Sequence, residues 1–148
     1  MKYQDIESYF IEADLVLEIL PICSEQFDRI DEIGAVLRDR GFSNPAELEG
    51  LIRELNGINA YLTPILGVAT SAKTENEDRF YNARKIEIEN AGEKFTSAAV
   101  DREASLAVAN YRRVRNSVEA YVSVLNTLIM SAQSLLKNSE RERNNTVA

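Results

Sequence analysis

Apolar side chains step by three and four residues without a miss from Ala104 to Leu135: Ala104, Ala107, Tyr111, Val114, Val118, Tyr121, Leu125, Leu128, Ala132 and Leu135. Alternation held over this length predicts a helix of roughly 45 Å at 1.5 Å per residue, with one stripe that must pack on other helices. From Val118 the apolar face widens to take in Val122, Val124, Ile129, Met130 and Leu136. A two-stranded coiled coil does not cover so broad a face, so this end is expected to pack on several helices, which one short chain supplies with difficulty. The expectation is a homo-oligomer held by Tyr111, Val114, Val118, Tyr121, Leu125, Leu128 and Leu135; the alternative is an intramolecular bundle.

Upstream, the same period marks shorter helices. Residues 4–20 place Ile6, Tyr9, Phe10, Ala13, Val16, Leu17 and Leu20 on one face, and Pro21 is expected to end or kink that helix. Ser24 is placed to cap a second helix that runs to about Arg40, with Phe27, Ile30, Ile33 and Leu37 inward and Gly41 as its stop. The clearest start is Asn44-Pro45-Ala46-Glu47, which offers an N-cap, a proline at the first helical position and an early carboxylate. The helix it opens is expected to bury Leu48, Leu51, Ile52, Leu55, Ile58, Leu62 and Ile65, with Gly57 and Pro64 weakening its end.

Residues 67–78 lose the period and gather small and polar side chains, which predicts a linker or frayed helix between an acidic helical region, 1–66, and a second region, 79–138. From Phe80 a helical pattern resumes through Tyr81, Ile88, Ala91, Phe95 and Ala98, out of phase with the later seam. Either one long helix carries a stutter, or two helices join near 96–101 with Thr96 or Ser97 as the second cap. The polar residues 139–148 are expected to fray into a disordered tail.

No strand is needed to account for the chain. Three prolines, six glycines, no tryptophan and only short β-branched runs in 148 residues place it in the all-α class, and 45% apolar content is enough to bury a core. The absence of histidine removes the imidazole base, the Cys–His pair and every His-containing zinc site. Cys23 has no partner for an intrachain disulfide and reads as a small buried hydrophobe. Asp28, Asp31 and Glu32 lack calcium-loop spacing, and Gly34, Gly41 and Gly50 form no phosphate loop. An enzyme, a metal and a cofactor are therefore not expected. The opening residues Met1–Glu7 lack a leader pattern and no stretch reaches the roughly 18 apolar residues of a membrane span, so a cytoplasmic location without membrane partners is expected.

Charge divides the chain. Residues 1–72 carry 5 Lys/Arg against 13 Asp/Glu, whereas residues 73–148 carry 12 against 11, within a net −7. A polyanion would have to be met by the second half. Arg112, Arg113 and Arg115 are its densest cations, either a solvated helix face or, repeated through an oligomer, a phosphate track. Arg84, Lys85, Lys94 and Arg102 form a sparser set, interleaved with Glu87, Glu89 and Glu93.

The stretch Lys94-Phe95-Thr96-Ser97-Ala98-Ala99-Val100-Asp101-Arg102-Glu103, then Tyr111 and the seamed helix ending Ala132-Gln133-Ser134-Leu135-Leu136-Lys137, resembles the phage recombination mediator (UvsY-type) family over about residues 78–138. Asn82-Ala83-Arg84-Lys85 is similar to the short basic segment by which such mediators touch single-stranded DNA. The resemblance implies a ring-like or bundled homo-oligomer that binds single-stranded DNA weakly, loads a strand-exchange recombinase and helps displace single-strand-binding protein. Arg84 and Lys85 would then be the first DNA contacts and Arg112, Arg113 and Arg115 a second track. The rival reading is a helical interaction protein that does not bind DNA: an assembly factor, a virion component or an inhibitor of a host system, with acidic helices facing a charged partner.

Overall fold

The computed structural model describes residues 2–39 and 44–147; the stop expected at Gly41 lies outside them. The fold is all-α. Helix α1 spans Tyr3–Ser8, a 3₁₀ turn Val16–Glu18 leads into α2 at Ile19–Ile22, and α3 (Ser24–Asp39), α4 (Pro45–Asn90), α5 (Ser97–Ala107) and α6 (Ala109–Val147) follow. The chain divides into two compact units, one made of residues 1–21 and 64–118, the other of 22–63 and 119–148. The divisions fall inside the long helices, between Thr63 and Pro64 in α4 and between Val118 and Glu119 in α6.

The second unit follows the apolar period closely. Phe27, Ile30 and Ile33 of α3, Leu48, Leu55 and Leu62 of α4, and Leu125, Ile129 and Ala132 of α6 are buried, and Leu37 is half-buried. Phe27 stacks on Tyr121 with ring centroids 4.1 Å apart and planes 10° from parallel. The Tyr121 hydroxyl donates to Asp31 Oδ2 at 3.0 Å. Cys23 is fully buried, and that burial pushes its thiol up to about 11. It is a protonated core residue at neutral pH. Asn44 caps α4 as expected, its Oδ1 accepting from Ala46 N–H at 3.0 Å ahead of Pro45.

Helix α4 does not stop where its hydropathy fades. Residues 67–78, expected to be a linker or a frayed helix, lie within the continuous helix α4. The 3–4 stepping of Leu48, Leu51, Leu55, Ile58, Leu62 and Ile65 simply continues with Ala69 and Ala72, both buried, alongside buried Val68. Alanine contributes little to a hydropathy pattern yet is the best helix former, and its small side chain allows close approach of a neighbour. Pro64 sits inside the helix with its ring exposed.

In the first unit the expected helix 4–20 is broken. Helix α1 ends at Ser8, closed by i→i−3 bonds from Tyr9 N–H to Ile6 O at 3.2 Å and Phe10 N–H to Glu7 O at 3.0 Å. The reason is tertiary. Two carbonyls of the broken stretch are taken by α6: Tyr111 Oη donates to Phe10 O at 3.4 Å and Asn110 Nδ2 to Ala13 O at 3.3 Å. Pro21 does not end a helix; it sits in the first turn of α2, where a missing N–H costs no internal bond.

Two helices, not one, follow α4. Gly92 adopts φ +71°, Glu93 N–H reaches Ile88 O at 3.1 Å and Gly92 N–H reaches Glu89 O at 3.1 Å, so a Schellman turn ends α4. Thr96 is the N-cap of α5 by position, without a side-chain cap bond. A second break at Val108, φ −102° and ψ 19°, separates α5 from α6 and moves the buried position from Ala107, which is exposed, to Val108. Residues 139–147, expected to fray, continue α6, where Glu140–Arg143 are strong helix formers and Thr146 Oγ1 donates to Glu142 O at 3.1 Å.

Candidate functional site

The candidate cations are spread over several elements of the first unit: Arg84 and Lys85 on α4, Lys94 in the link 91–96, Arg102 on α5, and Arg112, Arg113 and Arg115 on α6. Some of them already have work within the fold. Arg84 Nε donates to Glu103 Oε2 at 2.9 Å and its Nη1 to Glu87 Oε2 at 3.2 Å, and these bonds raise its pKa further. Lys85 Nζ lies 5.3 Å from the centroid of the Phe95 ring, which Tyr81 meets edge-on at 6.1 Å. Arg112 Nη2 donates to Ser105 O and Oγ, both at 2.6 Å, covering a carbonyl beside the Val108 break. Arg115 is half-buried and partnered. Lys94, Arg102 and Arg113 are exposed.

The residues expected to join subunits line the chain's own interior. Tyr111, Val114, Val118 and Leu125 are buried, while Tyr121, Leu128 and Leu135 are half-buried or at its edge. Tyr111 is held by Phe10, and burial raises its hydroxyl pKa; Tyr121 is held by Phe27 and Asp31, and its pKa is raised by burial and then by the Asp31 carboxylate.

A cleft of about 380 Å³ lies between the N-terminal segment and the middle of α4, in the first unit. Phe10, Val68 and Ala72 form an apolar floor, and Ile11, 76% exposed, stands on the rim. Glu7 and Glu75 edge it, with Arg79 at one side. Along the N-terminal segment that supplies one wall, Asp5, Glu7, Glu12, Asp14 and Glu18 are all exposed, and among the described residues none of them is in an ion pair. Asp5 accepts the backbone N–H of Lys2, at 3.2 Å, as the carboxylate of a capping box does. Leu15, 43% exposed, is a second exposed apolar side chain of the same segment.

Compared with family models, with curated proteins and with solved structures, the chain matches none.

The cleft is hard to see in the sequence because one wall of it lies in residues that read as a linker. The signal is the 3–4 stepping through Ala69 and Ala72, which is visible once alanine is counted as apolar. Among the described residues no group of three or more Cys, Asp or Glu side chains is placed to hold a metal, and no helix is long and apolar enough to cross a membrane.

Proposed function

We propose that this chain is a helical interaction protein that docks a basic, amphipathic protein segment on its acidic N-terminal surface, and that it does not act by binding DNA. One contrast supports this reading. The carboxylates of residues 5–18 are exposed and lack cation partners among the described residues, whereas Arg84, Lys85 and Arg112 are engaged by Glu103, Glu87, Phe95 and Ser105. A phosphate track would have to break those contacts before it formed. The acidic surface has only long-range attraction to gain from a cationic partner. The cleft supplies the short-range part: Phe10, Val68 and Ala72 accept an apolar side chain, while Glu7 and Glu75 meet flanking lysines or arginines.

Fluorescence anisotropy tests both halves of the reading. A labelled single-stranded oligonucleotide and a labelled Leu/Lys amphipathic peptide are each titrated across a salt series. The peptide is expected to bind, more weakly as salt rises, and to lose affinity when Glu7 and Glu75 become glutamine. Salt-steep oligonucleotide binding that falls with Arg102→Ala and Arg113→Ala would overturn the proposal and favour the recombination mediator, with its recombinase and single-strand-binding protein as partners.

A further inference from the structure

Successive turns of α4 present different chemistry to the cleft between that helix and the N-terminal segment. Ala72 belongs to its apolar floor, Glu75 and Asn76 line it one turn further on, and Arg79 lines it a turn beyond those. Ala72, Glu75 and Arg79 step by three and four, so they share one side of the helix and span about 10 Å at 1.5 Å per residue. Asn76 Nδ2 donates to Ala72 O at 2.7 Å within the helix, which leaves its Oδ1 to accept beside the Glu75 carboxylate. The middle level is therefore made of acceptors. Arg79 is its opposite: a permanent cation that only donates, and the one cation among the described residues that line the cleft.

Arg79 is exposed, and among the described residues it is in no ion pair. Carboxylates are not lacking. Glu75 precedes it by four residues, the favourable order for a helical pair, and Glu12 of the facing segment acts by its charge on the same Tyr111 hydroxyl as Arg79 does. Elsewhere on α4 the cations are taken: Lys73 by Glu77 and Arg84 by Glu87 and Glu103. A partner made only of cations and apolar groups would cover Arg79 uncompensated and repel it. We infer that Arg79 selects a carboxylate in the docked segment, which is a helix of pattern Glu-x-x-x-Lys-x-x-Leu lying antiparallel to α4, with its glutamate on Arg79, its lysine against Glu7 and Glu75, and its leucine over Phe10, Val68 and Ala72. This inference rests on the reading of the acidic surface given above and names the partner's sequence.

The spacing follows from α4 itself. A helix laid alongside has the same rise, so side chains set four and then three residues apart fall level with Arg79, Glu75 and Ala72 in turn. The direction follows from the partner. Glutamate four residues before lysine is the order that stabilises a free helix, so the antiparallel segment arrives partly preformed, whereas the parallel order reverses that pair. A cleft of about 380 Å³ admits side chains and not a helix body, so the charges meet at its solvated rim. There they set which segment binds more than how tightly it binds.

A charge-swap cycle tests it. Two basic, alanine-based helical peptides carry Lys and Leu at this spacing and differ only at the first position, Glu in one and Lys in the other. Fluorescence anisotropy gives the ratio of their affinities for each protein at one salt concentration, so differences in peptide helicity cancel between proteins. Relative to wild type, the preference for the Glu peptide should fall at least about tenfold in Arg79→Glu and about threefold in Arg79→Gln. Arg53→Glu makes the same change of net charge at an exposed position of α4 that does not line the cleft, and should move the ratio less than about twofold. A ratio unchanged by Arg79→Glu, or shifted as far by Arg53→Glu, would overturn the inference. The acidic-surface reading would still stand in that case if both peptides bind wild type and weaken when Glu7 and Glu75 become glutamine. Binding of neither peptide to wild type would overturn both. Arg79 is exposed, and circular dichroism establishes that its variants are folded.

Discussion

The two units are built from the same long helices and hold their backbones differently. In residues 22–63 and 119–148, helical segments meet through side chains set by the apolar period, and the backbone bonds within each helix. In residues 1–21 and 64–118, the backbone breaks after Ser8, at Gly92 and at Val108. There three consecutive residues at the start of α6 serve carbonyls elsewhere: Asn110 takes Ala13, Tyr111 takes Phe10 and Arg112 takes Ser105. The difference teaches that periodicity encodes which side chains are buried, and not which backbone groups a neighbouring side chain will accept.

The sharpest way to break the regular unit is to remove packing. Leu125 is fully buried where α6 joins that core, and Leu125→Ala is expected to cost about 3 kcal/mol through lost burial and the cavity left behind. Urea unfolding measures it; a loss under about 1 kcal/mol would mean that Leu125 is not in a close-packed interior.

Pro64 stands inside α4, where the regular unit gives way to the irregular one. Proline in a helix interior is about 3 kcal/mol less favourable than alanine, so Pro64→Ala should raise stability, by about 2 kcal/mol once some local relaxation is allowed for. A fall in stability instead would show that α4 needs the ring that proline provides.

That contrast also explains what could be read from the chain. Phe27, Ile30, Ile33, Leu48, Leu55, Leu62 and Leu125 are legible as core because each is large, apolar and in phase. Ala69 and Ala72 are equally buried but carry almost no hydropathy signal, so a continuous helix reads as a linker and the cleft it lines is not visible. The breaks are hidden for another reason. A helix over 4–20 satisfies the local pattern, and nothing in that pattern shows that Asn110 and Tyr111, about a hundred residues away, take the carbonyls of Ala13 and Phe10 in the broken form. The cations are visible by type, but their engagement by Glu87, Glu103, Phe95 and Ser105 depends on how α4, α5 and the link between them fold together.

Tyr111→Phe therefore probes the irregular unit without touching the period. The residue is 3% exposed and its hydroxyl bond to Phe10 O is long, at 3.4 Å. Its loss should cost about 1 kcal/mol, mostly the penalty of a carbonyl left without its partner. The effect should be local. Hydrogen exchange at the amides of Leu15 and Val16, which bond back to Glu12 O, should accelerate, while exchange in α3 stays unchanged. Uniform acceleration across both units would show that the tyrosine supports the whole fold and not the segment it touches.

The smallest effect returns to the regular unit and asks whether polar contacts matter there at all. Arg29 forks onto Glu54 across α3 and α4, through Nε and, at 2.9 Å, through Nη2, and it also meets Glu32 at 3.0 Å. Hydrogen bonding to Arg29 holds the Glu54 carboxyl below its ordinary 4.5. Because the folded value is depressed, the stabilisation is complete above pH 4.5 and is lost as pH falls through the folded value. Both side chains are about two-fifths exposed, 41% and 39%, so solvent screening keeps the contribution small. Arg29→Met, which retains the apolar stem, should lose no more than about 0.5 kcal/mol at pH 7. Urea unfolding of both proteins at pH 7 and near pH 2 decides the cause: an ion pair predicts a gap that closes in acid, whereas a gap of equal size at both values would assign Arg29 to packing, the same kind of contact that holds the rest of that unit together.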